Sequence, residues 1–397
     1  MEMVIFISSS IKTITFQSSM LCEKKIYWFT LEYVDMKKMS DKTLKNRGAI
    51  SNPEGRFEKN TRESFDDGWD ADDEEKLSAL ETTLLLEHSK SIISRNDSPD
   101  IGFDQSINPY RGCEHGCIYC YARPSHAYMN LSPGIDFETR IFYKPNAASL
   151  LEKEITKPSY ICKPIVIGAN TDPYQPAESQ LKITRSLLEV ACTYQHPVAI
   201  ITKSSLIGRD LDLLEELAKK QLIKIAITLT TLSVELKKIL EPRASAPSGR
   251  LRIIRKLSEI GIPIRVMAAP MIPMINDMEL EHILESAKDA GANYAGYTCI
   301  RLPYEVKDLF KEWLRNHYPD RTEHVMSLIR QMHNGKEYDP TFGKRMRGEG
   351  QFADLLAMRF KLACKKFKLN NIPPVDLNTN ILKKHLKNGS SQLFMDI

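Results

Sequence analysis

From about residue 106 to residue 300, short apolar runs alternate with amphipathic stretches of helical spacing. That alternation confines the chain to folds built from repeated β/α units. Strands are expected at residues 106–110, 165–168, 198–202, 223–229, 264–269 and 293–300. Helices are expected between them at 147–155, 181–194, 211–219, 251–260 and 279–290. Parallel strands need crossovers of this length, and such crossovers are right-handed, so successive units curl into either a doubly wound sheet or a barrel. Spacing alone leaves both open. The strands are apolar nearly throughout, which predicts that both sheet faces are covered.

Beyond Pro303 the strand pattern stops, and helices are expected at 305–316, 320–334 and 351–368, with turn-rich sequence at 334–335 and 343–350. Residues 388–397 are expected to fray. Residues 1–100 lack sustained periodicity and read as a largely disordered extension. Between Glu63 and Glu75 stand eight carboxylates and no Lys or Arg, a self-repelling block that reads as a mobile tether. Internal methionines suggest translation starting near Met36 or Met39. The expected organisation is therefore an N-terminal extension (1–100), an α/β core (101–303) and a helical C-terminal extension (304–397).

Composition narrows the function classes. The 397 residues are 42% hydrophobic and 27% charged, as in a globular protein, and 55 Lys+Arg against 51 Asp+Glu leave +4, too little to demand a polyanionic partner. No run approaches the roughly 18 uninterrupted apolar residues of a membrane span. The nearest, residues 261–275, carries Arg265 and three prolines. The short apolar run after Glu2 does not resemble a secretion signal, so a cytoplasmic location with no membrane partner is expected. Eight cysteines are too few for a disulfide scaffold, yet three fall within eight positions.

Those three, Cys113, Cys117 and Cys120, form C-x3-C-x2-C just after the first expected strand, in the run Asn108-Pro-Tyr-Arg-Gly-Cys113-Glu-His-Gly-Cys117-Ile-Tyr-Cys120-Tyr-Ala-Arg123. One short loop with this spacing presents three thiolates together. Soft thiolates suit an iron–sulfur cluster or zinc, and four cysteines are the usual complement of a cuboidal cluster. Here the local supply stops at three. An open coordination position follows, the mark of a catalytic rather than a closed metal centre. Gly112 and Gly116 flank the first two cysteines, where backbone must turn tightly. The alternative is a Cys3His zinc site through His115, which would crowd four ligands for one tetrahedral ion into a single loop.

With Tyr119 before the third cysteine, the motif resembles the hallmark of the radical S-adenosylmethionine superfamily. The surrounding Asn-Pro-Tyr-Arg-Gly-Cys and Cys-Tyr-Ala-Arg are similar to its spore photoproduct lyase-related, "DNA repair photolyase"-like subgroup. So are residues 168–178 (Gly-Ala-Asn-Thr-Asp-Pro-Tyr-Gln-Pro-Ala-Glu), 241–251 and 269–277. The resemblance covers about residues 100–370. It implies a partial (β/α)6 barrel in which Cys113, Cys117 and Cys120 bind [4Fe–4S], with the fourth iron chelating the amino and carboxylate groups of S-adenosyl-L-methionine. One-electron cleavage would then give methionine and a 5′-deoxyadenosyl radical that abstracts hydrogen from a substrate. A flavodoxin- or ferredoxin-like reductant is implied as partner. Many members carry Gly-Gly-Glu after the second strand, whereas this chain has Gly168-Ala-Asn-Thr-Asp172, so Asn170, Thr171 and Asp172 are cofactor-binding candidates by position. Asp172 also suits a turn before Pro173.

Other polar residues fall where strands end. Lys203 is placed to pair with the methionyl carboxylate, or stands as an ordinary strand-end lysine. Thr228, Thr230 and Arg265 are polar groups in apolar runs, and Arg265 is expected either to meet a carboxylate such as Glu241 or to face ligand. Tyr119 and Tyr121 are candidates for contact with adenine or for shielding the cluster. Cys299 reads as an inert buried thiol or a hydrogen donor. Lys344, Arg345, Arg347, Arg359, Lys361, Lys365, Lys366 and Lys368 form a basic stretch that would track phosphates or simply be solvated. The leading expectation is a radical enzyme acting on an unidentified substrate, with a nucleic-acid base suggested by the family analogy. Its rival is a non-catalytic iron–sulfur or zinc protein that binds nucleic acid through the basic tail.

Overall fold

The computed structural model describes residues 19–22, 25–28, 46–57 and 81–384. The chain divides at Thr43, and the first unit contributes an antiparallel pair, β1 (Ser19–Cys22) and β2 (Lys25–Trp28). The suggested start at Met36 or Met39, the acidic block and the frayed terminus lie outside the described residues.

In the second unit, a three-stranded sheet joins β3 (Thr83–Leu86) and β6 (Tyr110–Arg111) to the central β7 (Arg140–Tyr143). The main sheet holds β4 (Ser94–Arg95), β5 (Gln105–Ile107), β8 (Ile165–Ile167), β9 (Val198–Thr202), β10 (Ile223–Thr228), β11 (Ile264–Met271) and β12 (Tyr294–Cys299), in the order β12-β11-β10-β9-β8-β5-β4. From β5 to β12 all pairs are parallel, and β4 caps one edge antiparallel. This order decides between the two architectures left open by spacing. A doubly wound sheet reverses its strand order, whereas here each strand adds on the same side of the last, so same-handed crossovers stack their helices on one face. The sheet is a partial barrel, since β12 pairs with neither β4 nor β5.

The expected first strand is split in two. Pro109 offers no N–H to a ladder, and the chain leaves β5 for a different sheet at β6. The helices between strands are α1 (Asp136–Thr139), α2 (Ala147–Ile155), α3 (Glu178–Leu181), α4 (Ile183–Tyr194), α5 (Leu211–Lys219), α6 (Val234–Leu240), α7 (Pro247–Glu259) and α8 (Leu280–Asp289). Helix α7 begins a turn earlier than periodicity predicts because Pro247 sits in its first turn, where a missing N–H costs nothing.

Burial along the strands corrects the idea that both faces are fully covered. Ile200, Ile225, Ile227, Ile264, Val266 and Ala268 are buried in one core with Leu187, Leu214, Ile254 and Leu284 from the helices. The alternate residues Ala199, Ile201, Ala226 and Met267 are only half-buried. They line the barrel's inner face, whose C-terminal mouth is where this architecture places chemistry.

Both flanks of the core are built into this unit. It begins at Leu44 rather than near residue 100, with β3 pairing β7 in parallel. The C-terminal helices α9 (Val306–His317), α10 (Thr322–Met332) and α11 (Gln351–Lys366) also pack on it. Trp313, Phe310, Val325 and Ile329 share a core with Cys117, Ile118 and Leu240, beneath the cysteine loop. Between α10 and α11 the chain crosses from one sheet edge to the other: Met346 O accepts from Cys299 N (2.8 Å), while Arg345 Nε donates to Asp100 (2.6 Å) before β5.

Candidate functional site

The three cysteines sit on the loop leaving β6, at the C-terminal ends of the barrel strands. Gly112 (φ 79°) and Gly116 (φ 67°) occupy the left-handed region, and a Cβ on Gly116 would come 2.7 Å from Glu138 Oε2. The loop backbone is tied from several sides: Cys113 N donates to Phe137 O (2.9 Å), Ile118 N to Leu240 O (3.2 Å) and Glu114 N to Gln175 Oε1 (2.9 Å). Cys113 and Cys117 are buried, Cys120 is half-buried, and all three are free thiols. Burial pushes the Cys113 thiol well up; burial also pushes Cys117 up to about 11, although Lys203 pulls the other way. Thiols in this setting ionise when a metal cation binds them, and the cation removes the cost of their burial. The donor set therefore suits iron or zinc. Among the described residues no trio of His, Cys, Asp or Glu is gathered as one ion requires, and His115 faces Asp172 at 3.4 Å. Three free thiols on one loop with C-x3-C-x2-C spacing suit a cluster that keeps one iron without a protein ligand.

Beside Cys117 lies a buried polar network centred on Glu241, which follows α6. Glu241 accepts hydrogen bonds from Tyr119 Oη, from Thr230 Oγ1 (2.7 Å) and from Lys203 Nζ (3.1 Å), and pairs with the guanidinium of Arg250. Burial raises the Glu241 pKa, but Arg250 and Lys203 outweigh it and hold the carboxyl well below its ordinary value. Lys203 also reaches Tyr119 Oη (2.8 Å) and Cys117 Sγ (3.4 Å), so its three donors are all engaged. Burial opposes its charge, yet the Cys117 sulfur and the Glu241 carboxylate keep its pKa well above the usual lysine value.

The loop after β8 carries the other positional candidates. Asp172 accepts from Thr202 Oγ1 (2.7 Å), Lys203 N (2.9 Å) and Tyr174 N (2.9 Å), the last closing the turn expected before Pro173. Burial would raise its pKa, but His115, Thr202 and the Lys203 N–H lower it below the ordinary aspartate value. Thr171 Oγ1 donates to Tyr110 O (2.7 Å), and Asn170, exposed, has its N–H on Asn108 Oδ1 (2.8 Å). Asp172 and Thr171 thus hold the loop in place, and Asn170 is left at its surface.

A model of the radical SAM superfamily matches residues 107–287. An uncharacterized protein of Mycobacterium tuberculosis (strain ATCC 25618 / H37Rv) is 32% identical over 263 residues, covering 66% of this chain and 76% of the relative. The chain belongs to the radical SAM superfamily. An uncharacterized protein of Methanocaldococcus jannaschii is 29% identical over 217 residues, 55% of this chain and 77% of the relative. Among solved structures, spore photoproduct lyase complexed with dinucleoside spore photoproduct superposes with a TM-score of 0.53 at 14% identity, covering 72% of this chain and 79% of that one. The likeness is one of fold.

In this radical SAM chain the remaining candidates fall on both sides of the line between site and scaffold. Tyr121 donates its hydroxyl to Ala169 O and lies under the Arg301 guanidinium, 4.8 Å from ring centroid to Cζ. Arg265 does not meet Glu241. It starts β11, at the opposite end from the mouth, and donates to Ala295 O (3.1 Å) beside the Tyr294 ring. Cys299 is buried under the 343–350 crossing, its Sγ 3.0 Å from Arg347 O, and burial pushes it up to about 12, which favours the inert reading. Much of the basic stretch is spent internally: Lys344 on Glu349 (2.8 Å), Arg345 on Asp100 and Arg359 on Glu281 (2.6 Å). Among the described residues no helix is long and apolar enough to cross a membrane.

Sequence reasoning missed the Glu138–Arg123 pair. Both side chains are fully buried, and Glu138 also accepts from Gly48 N (2.9 Å) and Ala49 N (2.8 Å) while its carbonyl takes Arg47 Nη1 (2.8 Å). Nothing local marks a carboxylate in Asp136–Thr139 as the anchor of a segment 90 residues upstream. Arg250 was visible as part of a family-like run, but its bond to Glu241 depends on tertiary placement.

Proposed function

We propose that this chain is a radical SAM enzyme that holds a [4Fe–4S] cluster on Cys113, Cys117 and Cys120, binds S-adenosyl-L-methionine at the open iron, and acts on a nucleic-acid base. The observation that carries the reading is a loop presenting three free cysteines at the mouth of a partial barrel, next to a lysine–glutamate–arginine network. The bound pair supplies one-electron cleavage of the sulfonium and a 5′-deoxyadenosyl radical for hydrogen abstraction. Lys203 holds positive charge against the Cys117 sulfur and so favours the thiolate that binds iron. Glu241 fixes Lys203 and Tyr119 in one arrangement, which limits reorganisation at the reacting centre. Asn170 and Thr171 belong to the loop expected to meet the amino group, and Tyr121, pinned to Ala169 O on that loop, lines the mouth. The base reading draws support from the solved lyase with bound AdoMet and dinucleoside spore photoproduct. It draws support too from exposed aromatic groups after the strand ends: Tyr128 and Tyr304 flank Arg56 at 5.2 and 4.2 Å, as base-stacking surfaces do. A flavodoxin- or ferredoxin-like protein is the reductant this chemistry calls for.

The test is anaerobic reconstitution. Iron and sulfide near four per chain, and 5′-deoxyadenosine with methionine after dithionite reduction, are expected for the wild type. Cys117→Ala should lose both. A wild-type protein that takes up iron but yields no 5′-deoxyadenosine would favour the non-catalytic binding protein, and full cleavage by Cys117→Ala would overturn the ligand assignment.

A further inference from the structure

Arg301 stands just past β12, at the same end of the barrel as the cysteine loop, the 168–172 loop and Lys203. Its guanidinium rests on the ring of Tyr121, the residue after the third cysteine, with 4.8 Å from Cζ to the ring centroid. Its Nε is buried and has no hydrogen-bond partner among the described residues. Arg301 is in none of the ion pairs found among the described residues, which sets it apart from its neighbours. Lys203 and Arg250 share Glu241, Arg123 is paired with Glu138, and Arg243 meets Glu114 at 3.0 Å.

Arg301 carries a planar guanidinium with five N–H donors in a fixed fork and no acceptor of its own. A buried N–H with no acceptor is costly, and more so on a charged group. Tyr121 answers part of this through its ring face, but a ring face offers no acceptor in the guanidinium plane. What the arrangement lacks is an oxyanion approaching that plane edge-on, the geometry in which arginine binds carboxylate or phosphate through paired N–H groups. The stacking holds the plane ready: Tyr121 is itself pinned through its hydroxyl to Ala169 O, on the loop after β8.

We propose that Arg301, seated on Tyr121, is an oxyanion-binding residue of the mouth, taking a carboxylate or phosphate brought by a molecule bound there. This rests on the reading that the mouth holds S-adenosyl-L-methionine and a substrate, which are the two sources of such a group. The methionyl carboxylate is one, because every donor of Lys203 is already engaged. A substrate phosphate is the other, because Tyr121 is 42% exposed and Tyr304, three residues beyond Arg301, is 63% exposed.

The experiment is calorimetric binding to the anaerobically reconstituted, unreduced protein, comparing wild type, Arg301→Gln and Arg301→Lys. Two probe pairs are compared: S-adenosylhomocysteine against 5′-methylthioadenosine, which lacks the amino and the carboxylate group together, and thymidine 5′-monophosphate against thymidine, which lacks only the phosphate. Wild type should prefer the charged member of at least one pair. Arg301→Gln should weaken that member about 10- to 100-fold while leaving the neutral member within about twofold. Arg301→Lys, which keeps the charge but loses the planar fork, should fall between them. Loss confined to the first pair assigns the site to the cofactor carboxylate, and loss confined to the second assigns it to a substrate phosphate. A wild type without preference in either pair, or variants that keep the wild-type preference, overturns the proposal. Since no turnover enters the measurement, the absence of 5′-deoxyadenosine from the wild type would count against the proposed reaction alone.

Discussion

Replacing Gly48 with Ala drives a methyl group into the cysteine loop. The added Cβ would lie 1.8 Å from Gly116 O, 3.0 Å from Gly116 C and 3.4 Å from Glu138 Oε1. Backbone atoms give the first two contacts, so no side chain can swing away, and ordinary contact requires the two segments to part by roughly 1.6 Å. Gly48 N and Ala49 N now stand 2.9 and 2.8 Å from the Glu138 carboxylate, and that displacement carries them beyond hydrogen-bonding range. Bonds to a charged acceptor are worth about 1.5–3 kcal/mol each, so losing both costs about 3–6 kcal/mol, a large share of a domain's total stability. The alternative response, a shift of the cysteine loop itself, moves Gly116 from between Cys113 and Cys117 and spoils the proposed ligand set. Urea unfolding of the apo protein, followed by far-ultraviolet circular dichroism, should show a midpoint lower by roughly 1–2 M. Iron bound after reconstitution should fall in parallel. A variant within about 0.5 kcal/mol of wild type, with full iron content, would show that residues 46–49 do not brace the loop.

Glu241→Gln keeps the shape of the network but leaves Arg250 and Lys203 without a carboxylate, and should cost about 3–5 kcal/mol in chemical denaturation; an unchanged midpoint would refute its central role. Tyr119→Phe removes one hydroxyl from a Glu241 that keeps Lys203, Thr230 and Arg250, so it should cost only about 1 kcal/mol by the same assay, and a loss matching that of Glu241→Gln would contradict this ranking. His196 is buried between Tyr160 Oη (2.8 Å) and Pro197 O (2.9 Å), and burial lowers its pKa to about 4. Its folded-state pKa lies below the unfolded value of about 6.5, so the unfolded chain binds the extra proton between those values. Its contribution is fully present above pH 6.5 and is lost as pH falls towards 4, by about 3 kcal/mol in all. His126, lowered to about 4 by burial as well, adds a second such loss. Stability measured from pH 7 to pH 4.5 should therefore fall less steeply in His196→Gln than in wild type, and an identical slope would show that His196 does not carry the effect.

The barrel was legible because its strands and helices are amphipathic or apolar at fixed periods. Residues 198–202, 211–219 and 147–155 form the expected elements with the expected bounds. The cysteine loop was legible because its spacing is local. What the sequence did not disclose are pairs whose partners are brought together by the fold. Arg265 reads as a buried cation in need of a carboxylate, yet its partners are a carbonyl and a ring at the far end of the barrel. Glu241 instead meets Arg250 and Lys203, nine residues downstream and 38 upstream. The anchoring of residues 47–49 had no local signal either, since a glycine and an alanine before an acidic stretch look like the rest of a linker.

The cations around the mouth divide by what they are bonded to, and the division separates scaffold from chemistry. Arg123 and Arg250 are fully buried, each sharing a carboxylate, and their task ends with the fold: they fix Glu138 behind the cysteine loop and Glu241 beside Cys117. Lys203 is intermediate, saturated by protein groups but with one of them a sulfur expected to carry iron. Arg301 has a ring to lie on and, among the described residues, no acceptor. A chain under selection for stability alone gains by giving a buried guanidinium a carboxylate or by replacing it with an apolar residue. Arg301 is half-buried with its Nε left unpaired at the mouth while Arg123 and Arg250 are satisfied, the arrangement expected where the acceptor belongs to a ligand.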